Sequence, residues 1–116
     1  MQLEYFRERL LALREEHKKE IAVHTERLQM VSLHEPDVID RASRETDRSL
    51  EIQARDREQH LVLRINEALS RIDNGTYGYC EETGMPIGFS RLNAYPMATL
   101  SLEVQTNFER RKKVRF

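Results

Sequence analysis

The chain has 116 residues, 34% of them charged and 39% hydrophobic, with no Trp and a formal net charge of -1. That length allows one modest domain, or a helical hairpin with a small appended module, and so charged a composition excludes a thick globular core. Intermixed charges of both signs exclude a chain held mainly by nucleic-acid phosphates, and no apolar run approaches membrane-spanning length.

From Gln2 to about Ser32 the sequence predicts one helix. Leu3, Phe6, Leu10 and Leu13, then His17, Ile21, His24, Leu28 and Val31, recur at spacings of three and four, which is the seam of a helix pairing with another. Glu, Lys and Arg dominate its other faces. His17 and His24 sit on the seam two turns apart. That spacing is wide for metal ligation, so they are expected to be half-buried and to meet polar residues opposite.

Pro36 is the strong breaker that follows. It removes a backbone donor and restricts Glu35, so the chain is expected to turn within Leu33–Ala42, LHEPDVIDRA. Asp37 then stands at an N-cap position and Asp40 within the favourable field of the next helix end, so both acids have a capping role to fill. The returning helix is predicted from about Val38 to Asp73, with Ile39, Ala42, Leu50, Leu61, Ile65, Leu69 and Ile72 on its seam. Folding the two helices antiparallel about Glu35 pairs Val31 with Ile39, Leu10 with Leu61 and Phe6 with Ile65. The same register sets His17 near Gln53 and His24 near Thr46. Each arm would span about 50 Å at a rise of about 1.5 Å per residue.

Asn74 and Gly75 read as a C-terminal cap. Beyond them Tyr77–Tyr79 and Ile87–Phe89 are brief strand candidates joined across Thr83, Gly84 and Pro86. Pro96 is placed as the first turn of a last helix, with Met97, Leu100, Val104 and Phe108 on one face. A basic cluster, Arg110, Arg111, Lys112, Lys113 and Arg115, ends the chain and reads as a solvated helix terminus. Cys80 is the single cysteine, so no internal disulfide forms, which agrees with a reducing compartment. The N-terminus MQLEYFRERL lacks a signal peptide's organisation, and a cytoplasmic protein is expected.

The fold expected is therefore mainly α. A long antiparallel coiled-coil hairpin over 1–74, with its tip at 33–42, precedes a small finger-like module and C-terminal helix over 75–116. Its apolar stripe suffices for one intramolecular pairing, so a monomer is expected rather than a structural coiled-coil dimer. A second alternative is a transcript-cleavage type of factor, with Glu35, Asp37 and Asp40 supplying oxygens to Mg²⁺. Sequence-specific DNA recognition is not expected, since no helix shows a basic reading face.

Gly78–Gln105, GYCEETGMPIGFSRLNAYPMATLSLEVQ, resembles the finger of the DksA/TraR family of RNA polymerase regulators. DVIDRA at the tip and ARDRE on the second helix match the same family, in the right order and at the right separations. The resemblance implies a non-enzymatic regulator whose hairpin enters the secondary channel of RNA polymerase and alters initiation, for example at ribosomal promoters. It implies that Asp40 and Ala42, with Asp37 beside them, act near the polymerase active centre. It also implies a site for the alarmone ppGpp at the polymerase rim, matched here by Arg57, Leu61, Arg64 and Arg91. Tyr95 and Gln105 stand where the family carries basic residues. The N-terminal extension of longer members is expected to be absent. The family's finger holds zinc with four Cys in two pairs, and those positions read Cys80 and Thr83, Ser101 and Val104. One thiolate cannot close a tetrahedral site, so no zinc is expected, and packing among Tyr77, Tyr79, Ile87, Phe89, Leu92, Leu100 and Val104 would replace it. Cys80 is read as a small buried residue, with a redox sensor as the sharper alternative.

Overall fold

In the computed structural model, which describes residues 2–32 and 38–114, the chain forms four helices: α1 Leu3–Ser32, α2 Val38–Asn74, α3 Phe89–Ala94 and α4 Leu102–Val114. The fold is mainly α, a long antiparallel helix hairpin of α1 and α2 followed by a small C-terminal module. The 30 residues of α1 and the 37 of α2 contain no Gly or Pro and are rich in strong helix formers, so both run uninterrupted. Glu4 in the first turn of α1 and Arg71 in the last turn of α2 complement the helix dipoles. No helix among the described residues is long and apolar enough to cross a membrane. Leu33–Asp37, with Pro36 and the expected cap Asp37, lies outside the described residues.

Packing divides the chain into two units. One is Ala12–Arg64; the other joins Met1–Leu11 to Ile65–Phe116.

In the Ala12–Arg64 unit the two helices meet through a half-buried seam. On α1 it runs through Leu13, His17, Ile21, His24 and Leu28, as the spacing predicts. His17 Nδ1 lies 2.5 Å from Glu58 Oε2, and His24 Nδ1 lies 2.5 Å from Glu51 Oε2. The histidines do face polar residues, but the register is corrected. Each meets a residue five positions further along α2 than Gln53 or Thr46. The apolar residues here are too sparse to set the register, whereas Glu51 and Glu58 recur in step with His17 and His24 and offer carboxylates to both imidazoles. The α2 seam accordingly runs through Arg44, Glu51, Ala54, Glu58 and Leu61. Leu50, expected on it, is 58% exposed, because one residue of offset turns a side chain by about 100° around the axis. The hydrogen bond from His24, helped by Arg27, holds the Glu51 carboxyl below its ordinary range against the opposing effect of desolvation.

The other unit holds the densest core: Phe6, Leu10, Ile65, Ala68 and Ile72 from the helices, and Tyr77, Cys80, Leu92, Met97 and Ala98 from the module. Phe6 packs against Tyr77 and Phe89, with centroids 5.7 and 5.5 Å away. At the end of α2, Gly75 at φ 79 donates to the Ile72 carbonyl and Thr76 to that of Arg71, the paired bonds of a Schellman motif. The expected strands reduce to one antiparallel bridge among the described residues, Tyr79 with Pro86. Phe89 instead opens α3, whose Asn93 accepts from Tyr5 Oη at 2.8 Å and from Arg9 Nη1 at 2.9 Å. Tyr79 and Phe89, placed in the finger core by their pattern, are 44% and 53% exposed; Met97 and Ala98 are buried in their stead. Pro96 does not start the last helix, which begins at Leu102. The intervening carbonyls are used otherwise: Pro96 accepts from Tyr77 Oη at 2.8 Å, Thr99 from the Glu81 amide at 2.9 Å, and Leu100 from Arg91 Nε at 2.9 Å.

Candidate functional site

Asp40 and Ala42 lie on the N-terminal turns of α2, at the start of the returning helix. Asp37, grouped with them by the motif, falls outside the described residues. Arg57 and Arg64 are exposed on α2 and Leu61 is half-buried between them, seven residues bringing the two guanidinium groups onto one face of the helix. Arg91, on α3, belongs to the other unit, where its Nε is committed to the Leu100 carbonyl. Tyr95 is half-buried, and Gln105 on α4 donates to Glu109 Oε1 at 3.2 Å.

The four positions at which the finger pattern calls for thiolates converge. Cys80 is 3% exposed. Its thiol takes a hydrogen bond from the Thr83 hydroxyl and further bonds from the amides of Ser101, Thr83 and Glu82. Together these outweigh burial and bring its pKa down to about 6. Thr83 Oγ1 also accepts from the Met85 amide at 3.3 Å, and Ser101 Oγ accepts from that of Val104 at the same distance. The set thus provides one thiolate, two hydroxyls already bonded to backbone, and one alkyl group. Among the described residues no three or more His, Cys, Asp or Glu stand together as metal ligands. These donors do not fit a four-thiolate zinc site.

What surrounds Cys80 is a backbone cradle, and the residue that anchors it escaped the sequence reading. Arg71, in the last turn of α2, donates from Nη2 to the carbonyls of Thr76 at 3.2 Å and Tyr79 at 2.8 Å. Its Nη1 lies 3.7 Å from Glu81 Oε1. A basic residue one turn before a capping glycine was the available signal. Tyr77 is held similarly: burial raises its hydroxyl to about 12, so it stays a donor to Pro96.

Comparison with known proteins gives these features a family. The family model described as DnaK suppressor protein DksA, N-terminal domain, matches residues 2–72. The one described as prokaryotic dksA/traR C4-type zinc finger matches residues 75–110. The chain is 50% identical over 113 residues to the RNA polymerase-binding transcription factor DksA of Caulobacter vibrioides, covering 97% of this chain and 80% of the relative. To the protein of the same description from Escherichia coli K12 it is 38% identical over 112 residues, covering 97% and 74%. Among solved structures it is similar to the transcription factor DksA2 from Pseudomonas aeruginosa, with a TM-score of 0.90 and 38% identity over 97% of this chain and 86% of that one. With both halves of the hairpin and the finger matched in order, and relatives aligned along nearly its whole length, the chain belongs to the DksA/TraR family.

Proposed function

We propose that this chain is a cytoplasmic transcription regulator that binds RNA polymerase, enters its secondary channel by the hairpin and modulates initiation, including at ribosomal promoters, without zinc. The observation that carries the reading is the 50% identity, along 97% of the chain, to an RNA polymerase-binding transcription factor. The family is one of transcription factors, and no catalysis by this chain is invoked. Asp40 and Ala42 are assigned to the polymerase active centre, with Asp37 beside them. A carboxylate at the start of the returning helix is suited to basic and mobile parts of an enclosed centre.

Independence from zinc is supported by the donor set, a single thiolate among the four positions, and by the hydrogen bonds that already engage Thr83 and Ser101. For ppGpp, Arg57 and Arg64 are the proposed cations at the polymerase rim, with Leu61 between them on α2, and Arg91 of the other unit is proposed as a further residue. Tyr95 and Gln105 add no charge, so the nucleotide's share is smaller than a fully basic site would give.

The test is in vitro transcription from a ribosomal promoter, with and without ppGpp. Asp40→Asn should lose inhibition at least tenfold while competing for polymerase as the natural chain does. Full inhibition by the variant overturns the tip assignment. Elemental analysis of the purified protein should find no stoichiometric zinc.

A further inference from the structure

In a zinc finger the metal joins two chain segments that hydrogen bonding alone leaves loose. Here the segments are 76–81, leading through Cys80, and 96–101, leading into α4. The second is tied to the first by Tyr77 Oη on the Pro96 carbonyl and the Glu81 amide on that of Thr99. Arg91 Nε on the Leu100 carbonyl ties the second segment to α3, and the other two bonds position it only as well as the first segment is itself fixed.

The first segment is bonded within the finger, the Cys80 amide to the Met85 carbonyl and the Ile87 amide to that of Gly78, and one residue of α2 ties it by hydrogen bonds to that helix. Arg71, its side chain 15% exposed, bonds the carbonyls of Thr76 and Tyr79 through Nη2 and faces Glu81 through Nη1. Its own carbonyl accepts from the amides of Thr76 at 2.9 Å and Tyr77 at 3.2 Å. A planar guanidinium can satisfy two carbonyls and a carboxylate at once; an ammonium is a point charge without that fork. Bonds from a charged donor are also stronger than neutral ones. An ordinary surface ion pair would touch carboxylates alone, whereas here Nη2 is spent on the backbone carbonyls of Thr76 and Tyr79.

We propose that Arg71 is the cross-link that replaces a metal in this finger, locking the Cys80 segment to α2 and through it the loop before α4. The inference rests on the metal-free reading above, and its test separates the two. Amide exchange at 79–81 is followed in two backgrounds: the natural chain, and the variant Thr83→Cys, Ser101→Cys, Val104→Cys, which with Cys80 supplies four thiolates and is loaded with zinc.

In the natural background Arg71→Ala should speed exchange about tenfold or more, and Arg71→Lys by an intermediate factor, while exchange at 51–58 stays unchanged. In the zinc-loaded background the same change should matter less than about threefold, because the metal makes the guanidinium redundant. Equal acceleration in both backgrounds, or none in the natural one, overturns the proposal; should Arg71→Ala fail to fold, Arg71→Lys is read in its place. Failure of the four-cysteine variant to take up zinc overturns the convergence of positions on which it stands. Stoichiometric zinc in the natural chain overturns the metal-free reading instead.

Discussion

At Cys80 a single sulfur is surrounded by donors that other chemistry could have occupied. The Thr83 hydroxyl leads, followed by the amides of Ser101, Thr83 and Glu82, and together they stabilise the thiolate more than burial penalises it. The ordinary thiol value of 9.0 falls to about 6 in the folded chain. Because the folded pKa is the lower one, the stability this group contributes is complete above about pH 9, declines as pH falls, and is gone below about pH 6. Ultraviolet thiolate absorbance should therefore titrate with a midpoint near pH 6, and Thr83→Val should move it upward. A midpoint near the ordinary value in the natural protein would remove the cradle. Cys80 and Thr83 are readable as neighbours from their spacing. Ser101 joins them through the family resemblance, but that its amide is the group that meets the sulfur is decided only by the fold of the module.

Among the elements, the two long helices follow directly from their composition and spacing, and their seams from the recurrence of Phe6, Leu10, Ile65 and Ile72. The middle of α2 was harder. Leu50 fits an apolar stripe by type, yet Glu51 beside it is the residue that faces α1, because His24 needs a carboxylate there more than solvent-exposed Leu50 needs cover. Two truncations separate these positions. Phe6→Ala, at a fully buried site packed on Tyr77 and Phe89, should destabilise by about 3–5 kcal/mol, and Leu50→Ala by no more than about 0.5 kcal/mol. Denaturant midpoints at constant slope would measure both, and comparable losses would restore Leu50 to the seam. The short elements of the finger were less legible: Ile87–Phe89 is strand-like by residue type, but Phe89 begins a helix whose Asn93 is anchored by Tyr5 and Arg9 from far earlier in the chain.

For the whole molecule, full apolar burial is confined to one unit among the described residues, whereas polar pairing occurs in both. The unit of helix ends and finger holds all the fully buried side chains among the described residues, whereas the Ala12–Arg64 unit joins its helices through His17–Glu58, His24–Glu51 and half-buried apolar contacts. Local opening is easier where less apolar surface is buried. Native-state amide exchange should thus be about tenfold or more slower at 65–72 than at 44–58, measured on the full chain. Uniform protection along α2 would contradict that confinement.

Taken alone, the sequence determined the two long helices, the seam of α1, the capping glycine and the single thiol. These are properties of residue type and spacing within one stretch of chain. Tertiary structure decided the register of the hairpin, the carboxylates that meet His17 and His24, the exposure of Leu50 and Phe89, and the grip of Arg71 on the finger. Each of those depends on which distant side chains arrive together, and a helix's own periodicity carries no record of its partner.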